Sequence, residues 1–349
     1  MTKTVAIIFG TFAPLHQGHI DLIQKAKRSC DQAIVVVSGY AGDRGDEIGL
    51  HLEKRFRYIR EAFADDELTR VVSLNEEGLP RYPHGWTVWL DRLWNIPELQ
   101  EENDYVFYIS EEDYAKELSA RGYAVSLQKR SLGISATQIR QEPAKYWKFI
   151  AQPFRRHFTK KVLIMGSASN GKTTLAKDLA RYYAAPVSLE YAREYQVANN
   201  VRDEELTSKD YYYLLLGQYA QTSDLIESRA NQGLVIADTN SLVTKAYYDY
   251  YKNPSWKEAE QVTFNHLYQS ILAKEEWDLI LFVEPTGAYV NDGFRDMTMA
   301  DEQIRQDFSS HLEVLREEAL SQVPLARLNG DYLDNYELAK TVIGEIYQS

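Results

Sequence analysis

The stretch from Lys161 to Thr173 limits what this chain can fold into more than any other part of it. Lys161–Met165 is a short apolar strand, and Gly166-Ser167-Ala168-Ser169-Asn170-Gly171-Lys172-Thr173 follows it directly. Lys172–Tyr183 then continues with helical spacing. Gly-x4-Gly-Lys-Thr between a strand and a helix is a phosphate loop: its backbone N–H groups cradle phosphates, the lysine reaches the β- and γ-phosphates, and the threonine hydroxyl binds a divalent metal. A second strand–glycine–helix junction opens the chain. Val5–Phe9 runs into Gly10-Thr11-Phe12-Ala13-Pro14-Leu15-His16-Gln17-Gly18-His19.

Around each junction the pattern alternates. In the first half, Ala33–Ser38 is a continuous apolar run typical of a strand covered on both faces. Further strands are expected at Arg70–Leu74, Tyr105–Ile109 and Ala124–Leu127, with helices at His19–Arg28 and Glu53–Phe63. The second half restarts with strands at Ala185–Leu189, Leu234–Ala237 and Leu279–Val283 and a closing helix at Glu337–Tyr347. Tyr211–Glu227 reads as helical, its tyrosines and leucines as core, and Tyr247, Tyr248, Tyr250 and Tyr251 likewise. The expected fold class is α/β with two doubly wound parallel-sheet domains, a Rossmann-like one followed by a P-loop kinase domain. Between them, Gln141–Lys161 carries six basic residues and two prolines against the single acid Glu142. It reads as a solvated connecting helix and linker, with phosphate attraction as the alternative. The expected domains are 1–155 and 156–349.

The 349 residues suffice for two ordinary cores. A net charge of −12 argues against general nucleic-acid binding, so a phosphate ligand must be held by local donors. The single cysteine, Cys30, excludes an internal disulfide framework and fits a reducing cytoplasm. No apolar run approaches the roughly 20 residues of a membrane span.

At the first junction, Gly10, Thr11, Phe12 and Gly18 make the candidate nucleotide loop, and the free N–H groups of the following helix face phosphate oxygens. His16 and His19 are three apart and can donate hydrogen bonds to phosphoryl oxygens as charge builds. Ile134-Ser135-Ala136-Thr137-Gln138-Ile139-Arg140 adds hydroxyls at Ser135 and Thr137, which can cap a helix or touch a phosphate, and the fork of Arg140. These two elements resemble the nucleotidyltransferase superfamily, with its Gly-x-Phe-x-Pro-x-His-x-Gly-His and Ile-Ser-x-Thr-x-Ile-Arg patterns. The resemblance implies in-line transfer at the α-phosphate of ATP without a covalent intermediate. It also implies that His16 and His19 hold phosphates, with His19 stabilising the transition state, and that Ser135, Thr137 and Arg140 grip the β- and γ-phosphates. For the acceptor, the loop Arg81–Trp86 offers Trp86 as a platform for a flat ring, or as an aromatic packed in the layer over the sheet. Glu111, just past the strand Tyr105–Ile109, lies where doubly wound sheets bind ligands.

At the second junction, Gly166, Ser169, Asn170, Gly171, Lys172 and Thr173 are the phosphate-loop candidates, and Thr174 is a lesser one for the α-phosphate. Asp238 ends the apolar strand before it, as metal ligand or base, or as a cap of the next turn. In Glu190-Tyr191-Ala192-Arg193-Glu194, Glu190 can accept from sugar hydroxyls or take a proton, and Arg193 can pair with an acid or bind phosphate. Asn291–Asp296 resembles the lid of small-molecule P-loop kinases, with Arg295 for transition-state charge and Asp292 for substrate.

The order of the motifs, together with Glu-Tyr-x-Arg-Glu, Ile-x-Asp-Thr and Asp-Gly-x-Arg, resembles the NadR family, which combines nicotinamide mononucleotide (NMN) adenylyltransferase with ribosylnicotinamide kinase. The resemblance implies a bifunctional transferase of NAD biosynthesis. The second domain would phosphorylate the 5′-hydroxyl of nicotinamide riboside, and the first would join the NMN formed to AMP from ATP, with Mg²⁺ as cofactor. Its partners would be small molecules, with neither nucleic acid nor membrane insertion expected and a homo-oligomer left open. With the first catalytic strand beginning near residue 5, the DNA-binding module some members carry is not expected. Asn240 stands where a second acid is expected. The alternative reading keeps one domain active and the other as an ATP- or NAD-sensing module.

Overall fold

The computed structural model describes residues 2–99, 102–130, 132–285 and 297–348. The chain divides into two compact units, 1–158 and 159–349.

In the first unit the strands are β1 (Thr4–Gly10), β2 (Gln32–Gly39), β3 (Thr69–Asn75), β4 (Asp104–Ile109) and β5 (Ala124–Leu127). Its helices are α1 (Gln17–Ser29), α2 (Leu52–Ala62), α3 (Trp86–Trp94), α4 (Glu112–Ala120), α5 (Ala136–Gln141) and α6 (Gln152–Phe158). All pairings are parallel, in the order β3-β2-β1-β4-β5. Successive residues of β1 and β2 go to opposite faces, and both faces are apolar. Ala6, Ile8, Val35 and Val37 enter one core, and Val5, Ile7, Ile34 and Val36 the other. The strand order reverses beside β1, so the loop after Gly10 opens at a switch point.

The second unit contains β6 (Lys160–Met165), β7 (Val187–Ser188), β8 (Leu234–Asp238), β9 (Leu279–Val283) and β10 (Leu325–Leu328). Its helices are α7 (Lys172–Tyr183), α8 (Tyr191–Asn199), α9 (Ser208–Glu227), α10 (Ser241–Tyr250), α11 (Glu258–Leu272), α12 (Glu302–Leu320) and α13 (Tyr332–Gln348). The sheet is again parallel, in the order β10-β9-β6-β8-β7. Its first strand is central, and Val162 and Ile164 face one core while Leu163 and Met165 face the other. A further cluster of Tyr211, Leu214, Leu215, Tyr248, Phe264 and Tyr268 binds α9, α10 and α11 together.

Three expectations change. The basic stretch after Gln141 is not a solvated linker: Trp147, Ile150, Ala151 and Phe154 are buried in the first core. They recur at helical spacing among the charges, which hid the stripe. The charges themselves are engaged. Lys145 pairs with Glu142, and Arg156 donates to Glu61 while its guanidinium lies 4.0 Å over the Tyr58 ring. α6 packs onto α2 within the first unit. The expected strand at Ala185–Leu189 pairs only over Val187–Ser188, because Pro186 supplies no N–H to the ladder. The core reading of the tyrosine-rich helices holds for Tyr211 and Tyr248 but not for Tyr213, Leu216 and Tyr250, which are exposed on the far sides of α9 and α10.

Candidate active sites

In the first unit the turn after β1 brings both histidines to the start of α1. His16 is the N-cap, and its Nδ1 accepts from the Gly18 N–H at 3.2 Å. The ring proton is therefore on Nε2. Glycine at 18 makes this possible, since a Cβ there would stand 3.1 Å from the His16 ring. His19 stacks on His16, with centroids 3.7 Å apart, and meets the Phe12 ring edge-on at 5.0 Å. Burial lowers the His16 pKa to about 4, with Arg130 adding to the effect. Burial, then His16, Arg130 and Arg44, hold His19 well below the ordinary value. Both imidazoles are neutral at pH 7, and His19 Nδ1 is buried with no hydrogen-bond partner.

The loop is held from beneath by a fully buried ion pair. Arg55 donates from Nη2 to Asp43 Oδ2 at 2.7 Å and from Nη1 to the Thr11 carbonyl at 2.7 Å. Asp43 Oδ1 accepts from the N–H groups of Gly45 and Asp46. Arg44 is thereby set at the rim, where it donates to Thr11 Oγ1 at 3.1 Å.

A cavity of about 690 Å³ lies over this loop, lined by Gly10, Thr11, Phe12, His16, Gly18, His19, Arg44, Glu111, Arg130, Ser135 and Thr137. Ser135 is the N-cap of α5 in a reciprocal pair with Gln138. Arg140 ties the two elements together, donating to the Ala13 carbonyl at 2.7 Å and to Thr137 Oγ1 at 3.1 Å. Glu111 pairs with Arg130. A second cavity of about 380 Å³ shares Gly10, Thr11, Arg44, Tyr82 and Tyr114 with the first and adds Tyr40, Arg81 and Trp86. Trp86 opens α3 rather than closing a loop, and it is buried against Phe9, Trp89 and Tyr114. It is thus both packed and part of a cavity wall. Arg44 and Arg130 do not stand out in the sequence as site residues. Their signal was a basic residue just beyond the C-terminal end of β2 and of β5, where doubly wound sheets bind ligands.

In the second unit Gly166 has φ +147°, and a Cβ there would lie 2.4 Å from the Val283 carbonyl oxygen, so only glycine fits. Ser169 and Gly171 also have positive φ, which curls the loop over the start of α7. Lys172 Nζ donates to the Ser167 carbonyl at 2.7 Å, and Asn170 Nδ2 to Ser167 Oγ at 2.8 Å. Thr173 Oγ1 donates to Asp238 Oδ2, across the end of β8. Asp238 is buried, and its Oδ1 has no hydrogen-bond partner. Burial raises its pKa, opposed mainly by Lys172 and reinforced by Glu190. Thr174 is exposed in the first turn of α7.

Glu190 sits at the N-cap of α8 and accepts from Arg193 Nε at 3.4 Å. Both line a narrow cavity of about 40 Å³ with Asp203, Thr239, Tyr247 and Tyr251. On α9, whose tyrosines and leucines read as core, two glutamines hold the strand that delivers Glu190. Gln218 accepts from the Tyr191 N–H at 2.8 Å, and Gln221 donates to the Leu189 carbonyl at 2.8 Å. Asn240 is the N-cap of α10 and donates to half-buried Glu275 at 2.8 Å. Arg295 and Asp292 lie outside the described residues, and no helix among those described is long and apolar enough to cross a membrane.

Two family models match: Cytidylyltransferase-like over residues 7–142 and AAA domain over residues 161–332. The chain is similar to the trifunctional NAD biosynthesis/regulator protein NadR of Salmonella typhimurium, 30% identical over 98% of this chain and 84% of that protein. It is 29% identical to its counterpart in Escherichia coli over the same shares. Among solved structures, NadR in complex with NR superposes with a TM-score of 0.87 at 40% identity, covering 100% of this chain and 97% of that one. NadR in complex with NAD and AMP-PNP gives 0.84 at 39% identity, covering 99% and 97%. The likeness runs through both units and both phosphate loops, and the chain belongs to the NadR family.

Proposed function

We propose that this chain makes NAD from nicotinamide riboside in two ATP-dependent steps, the second unit acting first. One observation carries the proposal: two separate phosphate loops, each at the end of a central parallel strand and each beside its own cavity, stand in one chain of this family.

In the second unit, the loop from Gly166 to Thr173 would hold the ATP phosphates through backbone N–H groups, with Lys172 on the β- and γ-phosphates. The riboside 5′-oxygen attacks the γ-phosphorus in line, the bond to the β–γ bridging oxygen breaks, and ADP leaves with NMN formed. Glu190, on the acceptor side, takes the hydroxyl proton. The unpartnered Oδ1 of Asp238 and the hydroxyl of Thr173 fit a divalent cation, and burial of a lone carboxylate favours one. Mg²⁺ held there would neutralise charge on the transferring phosphoryl group. The acceptor cavity is narrow, about 40 Å³, and its side chains would part to admit a nucleoside.

In the first unit, a phosphate oxygen of NMN attacks the α-phosphorus of ATP, pyrophosphate leaves, and NAD results. Neutral His16 donates from Nε2, and His19 steadies charge on the α-phosphoryl oxygens. Ser135, Thr137, Arg140 and Arg130 hold the departing phosphates. Arg44 lies where the two cavities meet, between donor and acceptor phosphates. Trp86 offers its remaining face to the pyridine ring.

Incubation with nicotinamide riboside and Mg-ATP, followed by chromatography, should give NMN and then NAD. Absence of both products would overturn the reading.

A further inference from the structure

Thr239 is the residue after Asp238, and its backbone departs from what its side chain prefers. Its φ is +98°, a region that a β-branched residue rarely enters. Such a conformation persists only where the surroundings impose it, and it gathers at ligand sites. Here the neighbours on both sides are pinned. Asp238 accepts from Thr173, and Asn240 caps α10 while donating to Glu275 at 2.8 Å. The Thr239 N–H itself donates to the Ile164 carbonyl at 3.1 Å.

The hydroxyl so placed has no use within the protein. Thr239 is 4% exposed, and its Oγ1 is buried with no hydrogen-bond partner. A buried hydroxyl left unpaired is costly, so it calls for a partner that arrives from outside. Thr239 lines the acceptor cavity with Glu190 and Arg193, whereas Asp238 turns to Thr173 in the phosphate loop. The reacting hydroxyl must lie at the phosphate side, next to Lys172 and Asp238. With that hydroxyl taken up by the reaction, the partner left for Thr239 is another hydroxyl of the same sugar.

Resting on the kinase reading above, we propose that Thr239 is a specificity-determining residue whose hydroxyl binds a secondary hydroxyl of the acceptor ribose. The positive φ marks a backbone that its surroundings impose. A site built to pair with a hydroxyl rejects the analogue that lacks it.

Thr239→Val keeps the branched shape and removes the oxygen. Kinase kcat/KM for nicotinamide riboside should fall about ten-fold or more, with the KM for ATP and the Mg²⁺ midpoint unmoved. Thr239→Ser should keep most of the activity. The penalty should vanish when either the 2′-deoxy or the 3′-deoxy riboside is the acceptor, because the deleted pair cannot be lost twice. ADP binding and thermal melting report whether each variant is folded. If the valine variant fails to fold, the comparison of Thr239→Ser with Thr239→Ala carries the same reading. A penalty below two-fold, one that persists with both deoxy acceptors, or one that falls on Mg²⁺ instead, overturns the inference. An unaltered chain that phosphorylates no nicotinamide riboside overturns the kinase reading and this inference with it. An active unaltered chain with an unaffected variant overturns the inference alone.

Discussion

His16 and His19 lie ring on ring, with centroids 3.7 Å apart and planes 22° apart, and neither carries a proton charge at pH 7. Two stacked imidazolium ions would repel, and burial already disfavours either one. The pair is therefore a set of neutral hydrogen-bonding groups whose approach to phosphate does not depend on protonation.

That neutrality predicts how stability varies with pH. In the unfolded chain a histidine titrates near 6.5, whereas folded His16 titrates at about 4. As pH falls through this window the unfolded state takes up the proton first. The contribution is complete above pH 6.5 and is lost progressively between 6.5 and 4. Its upper limit is about 3 kcal/mol. Melting of the ligand-free protein should show this slope, and His16→Asn, which retains a capping acceptor, should flatten it.

Substitution at each site should divide the activities. Lys172→Ala should lower riboside phosphorylation about 100-fold or more while supplied NMN is still converted to NAD. His19→Ala should do the reverse by a similar factor. Separate assays with nicotinamide riboside and with NMN measure both. Loss of both activities in both folded variants would contradict separate sites.

Gly217→Ala should destabilise the second unit, against the usual trend. Alanine in a helix interior ordinarily gains about 1 kcal/mol over glycine. At 217 the new methyl would fall 2.0 Å from the Tyr191 ring, which packs on the backbone of α9. Overpacking of this kind costs about 1–3 kcal/mol. Tyr191 follows Glu190, so the KM for the riboside should rise as well. Denaturant titration and kinase kinetics on one preparation test both effects.

Asn240→Asp, which would restore the expected acid, should be unfavourable in this chain. Asn240 donates to Glu275, which is half-buried and also accepts from Ser241. A carboxylate in its place removes the donor and faces another acid, at a cost of about 1–3 kcal/mol. A lower melting temperature with the phosphate loop still binding ADP is the expected result.

Most strands of both sheets could be read from sequence because they are short apolar runs, and Val5–Phe9 and Leu234–Asp238 sit where that pattern puts them, whereas the four-residue edge strand Leu325–Leu328, interrupted by Arg327, could not. The helices α3 and α4 were less legible. Trp86–Trp94 follows a Pro/Gly-punctuated loop, and Glu112–Ala120 carries too few apolar residues to set a period. Phosphate-loop residues announced themselves by spacing, since backbone geometry there demands particular residues. Arg44, Arg130, Gln218 and Thr239 did not, because each matters through a neighbour far away in sequence. Asp43 and Arg55 show the same limit: a pair so deeply buried looks in sequence like two ordinary surface charges.

The order of the second sheet bears on how its site opens. The phosphate loop grows from β6, which has a hydrogen-bonded partner on each side, whereas Glu190 grows from β7, a two-residue edge strand joined only to β8. Amides of β6 should exchange with solvent only when the unit unfolds globally, and those of β7 through local fraying. One end of the site is thus expected in the slowest-exchanging part of the unit, and the other in a part held by one neighbouring strand and the glutamines of α9. A nucleoside entering by way of the second would leave the first undisturbed.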